Sequence, residues 1–137
     1  MGTFALVDAR VEVNSVDLSG WVTSVTLPIE LEALENTAMG QVARSRQAGL
    51  QDSTLGINFN DDFAASAVDA TLWAAFGTVV VVKVRPTTGA ISGTNPEFVA
   101  SYLVNQHNPF GNSVGELATR QVSWPLSDPD GVARNTA

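Results

Sequence analysis

Between Trp21 and Leu31 the side chains alternate in character with a period of two. The odd positions carry Trp21, Thr23, Val25, Leu27, Ile29 and Leu31; the even ones carry Val22, Ser24, Thr26, Pro28, Glu30 and then Glu32. Successive side chains of an extended strand point to opposite faces, so this stretch reads as one strand with an apolar face and a face that is mostly small, polar or acidic. Pro28 has no amide hydrogen to give to a ladder and places an edge or a bulge nearby. The alternation returns in Phe4–Val13, with Val7, Ala9, Val11 and Val13 together, and in Thr54–Asn60, with Leu55, Ile57 and Phe59 together. Asn14–Asp17 with Ser19-Gly20 reads as the turn after the first of these. Thr78–Arg85 is a β-branched run, the pattern of a central strand buried on both faces. Phe98–Gln106 and Leu117–Trp124 read as two further strands joined by a wide hairpin connection, His107–Gly115. Pro86–Pro96 reads as a loop, and residues 125–137 as a polar, frayed tail.

One helix is expected, over about residues 62–76. Val68, Leu72 and Phe76 recur at four-residue intervals with Trp73 beside them, forming one apolar stripe. Asn60-Asp61-Asp62 precedes it, where carboxylates accept the free amides of a first turn. Gly77 stands where a C-terminal glycine belongs. Residues 34–53 show no sustained period and read as one long loop. Such loops are uncommon in compact domains and are usually functional or disordered. The chain of 137 residues is therefore expected to form a single domain, residues 1–137. The expected fold is mainly β: a β-sandwich or open barrel with one short α-helix packed on it and a long loop.

Composition narrows the chemistry. There is no cysteine, so disulfides, thiolate metal sites and thiol nucleophiles are excluded. The formal net charge is −7, from 14 acidic and 7 basic residues, and nothing resembles the Lys/Arg cluster that grips a phosphate backbone. No apolar run reaches the length of a membrane span, and no basic-then-apolar leader opens the sequence. His107 is the sole histidine and, beside Asn108-Pro109, reads as a loop residue. No Ser nucleophile elbow, phosphate loop or dinucleotide fingerprint is present. Asn58–Asp62 and Asp128–Gly131 lack the spaced carboxylates of a calcium loop; they read as helix capping and a tail turn. Two of Glu30, Glu32 and Glu35 could form a glycosidase carboxylate pair, but the three read better as a solvated strand face. Trp21, Trp73 and Trp124 could form a sugar platform, although Trp21 and Trp73 fall on expected core faces. The chain is expected to be no enzyme and to need no cofactor or metal.

Several segments in order resemble the tail tube (major tail) proteins of siphophages. They are Leu18–Val25, Asn36–Gly40 with Arg44-Ser45-Arg46, Phe63–Asp69 with Gly77, Val84–Thr87 and Val122–Pro125. The resemblance spans most of the chain. It implies a β-sandwich with one helix that assembles as hexameric rings stacked into a hollow tube, part of a virion tail made in the host cytoplasm. Terminator, tape measure and distal tail proteins are the implied partners, with DNA passing through without specific binding. In that setting Glu30 and Glu32 are expected to face the lumen, where negative charge repels the DNA backbone. Residues 37–53, with Asn36, Thr37, Met39, Arg44 and Arg46 as the named contacts, are expected to order only against an adjacent ring, near acidic groups such as Glu97 or Glu116. Two other classes stay open: a tail terminator or capsid decoration protein, and a carbohydrate-binding module relying on Trp124.

Overall fold

The computed structural model describes residues 8–65, 67–110 and 112–136. The first residues of the expected Phe4–Val13 strand, and Ser66, Gly111 and Ala137 from the segments above, lie outside them. Among the described residues nine strands and one α-helix make two antiparallel sheets facing each other, a sandwich and not a closed barrel. The first sheet runs β2 (Val16–Asp17), β1 (Arg10–Val13), β6 (Val79–Arg85), β7 (Glu97–Leu103), β9 (Ala133–Asn135). The second is organised around β5 (Arg46–Asn60), a strand of 15 residues. β8 (Thr119–Pro125) pairs with one edge of its second half. β3 (Val22–Thr26) and β4 (Ile29–Glu35) follow one another along the other edge, and the pairing of Thr26 with Gly56 continues in register to that of Ile29 with Ser53.

Alternation explains the interior. Leu55, Ile57 and Phe59 of β5 and Val122 and Trp124 of β8 face Val11, Val13, Val80, Val82, Ala100 and Tyr102 of the first sheet, all essentially buried. One polar contact ties the sheets through this core: Tyr102 Oη and Ser53 Oγ lie 3.0 Å apart. The helix α1 (Val68–Ala75) connects the sheets at the Asn60 end of β5 and buries Val68, Leu72 and Ala75. Gly77 closes it at φ +85°, a backbone conformation that glycine adopts without a Cβ clash.

Several expectations are corrected. The strand expected over Trp21–Leu31 is two strands, because Trp21 ends a 3₁₀ turn (Ser19–Trp21) and Leu27-Pro28 breaks the ladder; Pro28 does sit at a sheet edge. The loop expected at residues 34–53 is mostly ladder: Glu35 pairs with Arg46, Leu34 with Gln47 and Ala33 with Ala48, leaving only residues 36–45 as a loop. The helix starts at Val68, not near residue 62. Asp61 does not cap it; it turns to an arginine described below, and Asp62 closes its own small turn by accepting from Ala64 N at 2.9 Å.

β6 is central, yet buried on one face only, since Val79 and Val81 are about half exposed. β7 and β8 form no hairpin; their connection crosses from one sheet to the other. The tail is built in rather than frayed. Leu126 bridges Tyr102, Asp128 Oδ2 accepts from Ser101 N at 3.2 Å, and β9 pairs with β7. Trp73 is not in the core: it is 63% exposed, and Phe76 is 44% exposed.

Candidate functional site

The first half of β5 and β4 leave the sandwich together as a two-stranded arm, and every residue of β4 is exposed. Among the described residues Leu31, Leu34 and Leu50 are left 57%, 40% and 81% exposed. A bulge where Glu32 meets Gly49-Leu50 interrupts the register, and a Cβ on Gly49 would crowd Glu32 and Leu34 at 3.1 Å. The arm carries its own hydrogen bonds to the tip. Asn36 N donates to Ser45 O at 3.0 Å, Ser45 N to Thr37 Oγ1 at 2.9 Å, and Ser45 Oγ to Asn36 Oδ1 at 2.7 Å. Gly40 turns the tip at φ +89°. These bonds satisfy several of the tip's polar groups within the chain itself. Met39 and Val42 stand fully exposed at the tip.

The expected site residues distribute along this arm. Glu30 lies opposite Asp52, and Glu32 follows on the same face. Asn36 and Thr37 spend their polar atoms inside the tip. Arg44 is 3.8 Å from Glu35, both well exposed. Glu97, expected as a partner for these arginines, is buried and paired with Arg85 at 3.3 Å. Glu116 is exposed and accepts from Ser113 N at 3.1 Å. The acidic face of the arm continues into the solvent face of the second sheet. There Ser24, Thr26, Thr54, Asn58, Gln121 and Ser123 lie side by side without a cation among them.

At the other end of β5 is a cluster that the sequence reading missed. Arg120, opposite Phe59, points inward with a side chain 0% exposed, and its Nη2 donates to Asp69 Oδ1 at 2.9 Å and to Asp61 Oδ2 at 3.2 Å. Its guanidinium lies 5.6 Å from the centre of the Phe63 ring. The signal was present: Arg120, Val122 and Trp124 alternate inward, and a cation at an inward strand position requires buried carboxylate partners. His107 joins the cluster. It is a loop residue, as expected, but its side chain is 7% exposed, with Nε2 3.6 Å from Asp69 Oδ1. Burial, helped by Arg120 and opposed by Asp69 and Asp61, pushes its pKa below the usual histidine value, so the ring is neutral at pH 7.

Around that ring lie Trp73 at 5.2 Å and Phe76 at 5.8 Å between centroids; Phe63 and Phe110 stack nearby at 6.0 Å. All four of these aromatic residues are exposed, Phe110 at 82%. The sugar platform does not form. Trp124 is fully buried, and Trp21 is partly buried with its Nε1 donating to Asp62 Oδ2 at 3.0 Å.

No protein-family model matches the chain, and no curated protein matches it. Among solved structures it is similar to a chain of one described as the virion of a native gene transfer agent particle. The TM-score is 0.62, the identity 12%, and the match covers 95% of each chain. At that identity the likeness is one of fold, and it extends over the whole sandwich.

Proposed function

We propose that this chain is a structural virion protein that polymerises as stacked hexameric rings into the hollow tail tube through which phage DNA passes, and that it performs no catalysis. The observation that carries the reading is the arm. A two-stranded projection with exposed Leu31, Leu34, Leu50, Met39 and Val42 leaves side chains in water that each gain about 1.5–3 kcal/mol when fully buried. A chain that lives alone has no use for such an element, and copies of itself can cover it. The fold likeness to a chain from a gene transfer agent virion supports the same reading.

The lumen would be lined by the solvent face of the second sheet, with Glu30, Glu32 and Asp52 at its arm end. Hydroxyls, amides and carboxylates without a cation offer the phosphate backbone no ion pair, and the carboxylates repel it. Terminator, tape measure and distal tail proteins are the partners this role calls for.

Negative-stain microscopy of the purified protein, with sedimentation velocity alongside, tests the reading. Tubes are the expected result. Single closed rings would replace it with a terminator, and binding only to preformed capsids with a decoration protein. A monomer at millimolar concentration would overturn it. Arg44→Glu with Arg46→Glu should weaken tube formation while far-UV circular dichroism stays unchanged.

A further inference from the structure

We infer that Met39 and Val42, at the tip of the arm, dock onto the exposed aromatic end of a second copy of this chain, against Trp73 and Phe76 where they flank His107. The inference rests on the assembly reading above and names the contact. Both features are apolar and uncovered: Met39 and Val42 have no neighbour that shields them, and Trp73 is 63% exposed. They cannot meet within one chain. β5 runs from the arm at Arg46 to the aromatic end at Asn60 as 15 residues, which at about 3.3 Å per residue separates the two by roughly 45 Å.

Charge favours the pairing. The outer part of the arm, residues 35–47, carries Arg44 and Arg46 against the single acid Glu35, a net positive charge. The aromatic end holds Asp61, Asp62 and Asp69 against the single buried Arg120, with His107 between them and Glu116 on the adjoining loop. A methionine against aromatic ring edges is a favourable and geometrically tolerant contact. The topology adds a consequence. Repeated in one direction, a contact between two different surfaces at opposite ends of a molecule is heterologous and propagates from copy to copy, whereas a reciprocal antiparallel pair would stop at a two-fold dimer.

The chain has no cysteine, so an engineered disulfide reports this contact without background. In the Ala43→Cys, Ala74→Cys double variant, which places thiols at exposed neighbours of the contact and keeps Met39, Val42, Trp73 and Phe76, assembly followed by mild oxidation should give a ladder of cross-linked multimers on a non-reducing gel. The Ala43→Cys, Val81→Cys control, with its second thiol on the outer face of β6, should give none. Separately, Trp73→Ala, an exposed position whose loss spares the core, should raise the concentration needed for assembly by about 30-fold, the ratio expected of a truncated hot spot. Normal tubes without the ladder, or an equal ladder in the control, would overturn the docking and leave the tube reading standing. Failure of the wild-type protein to assemble at all would overturn both.

Discussion

Replacing Arg120 by methionine tests the buried ion cluster at the aromatic end. Methionine approximates the arginine stem, so the packing of the aliphatic part largely survives. What is lost is the charge. Arg120 Nη2 serves Asp69 at 2.9 Å and Asp61 at 3.2 Å, and the side chain of Asp61 is only 2% exposed. Without its partner, that carboxylate is left charged and nearly dry. Removing one member of a buried pair costs about 3–5 kcal/mol. Arg120 Nε and Nη1 find no protein acceptor among the described residues, and Asp69 is partly solvated at 27%. Both facts place the cost near the lower end, about 3 kcal/mol. For a domain of this size that lowers Tm by roughly 10 °C.

The assay is urea unfolding followed by circular dichroism, on Arg120→Met and on Arg120→Met with Asp61→Asn. The second variant removes the stranded charge and should recover at least about half of the loss. A loss below about 1 kcal/mol for Arg120→Met, the size of an exposed salt bridge, would refute the reasoning. So would a double variant no better than the single one.

Three further outcomes concern other contacts of the fold. Tyr102→Phe deprives Ser53 Oγ of its partner across the sheets and should cost about 1–3 kcal/mol by urea unfolding. Gly77→Ala forces a Cβ onto a backbone at φ +85° and should cost about 1–2 kcal/mol, with the helix signal retained. The folded protein holds His107 neutral by burial, with its pKa below the ordinary value of 6.5. The unfolded chain therefore binds more protons below that pH, and stability that is complete above it declines as pH falls towards the lowered folded value. Thermal melts at pH 7.5 and 5.5 should show His107→Gln losing less on acidification than the wild type. An equal loss would mean that His107 does not contribute.

The parts of this fold legible in the sequence are those where one face is buried. Leu55, Ile57 and Phe59 alternate because water lies on one side of β5 and the core on the other. The same strand was invisible between Arg46 and Asp52, where both faces meet solvent and no pattern is imposed. The helix was found through Val68 and Leu72. Trp73, one residue on and about 100° round the axis, was misplaced because a neighbouring aromatic looks like part of the stripe. The Arg120 cluster draws on three elements, with Asp61 and Asp69 separated from Arg120 by 59 and 51 residues; local spacing cannot display that. β9 has only three residues, too few to show a period.

Because β5 is both the middle of the second sheet and one leg of the arm, the arm behaves as a ruler attached to a fixed body. Adding two residues to each leg would move the tip outward by about 7 Å and return every side chain to its original face. Adding one would turn the side chains beyond the insertion to the opposite face. Reach and core are thus separate quantities in this chain, and the tip can be moved in discrete steps without repacking a single interior residue.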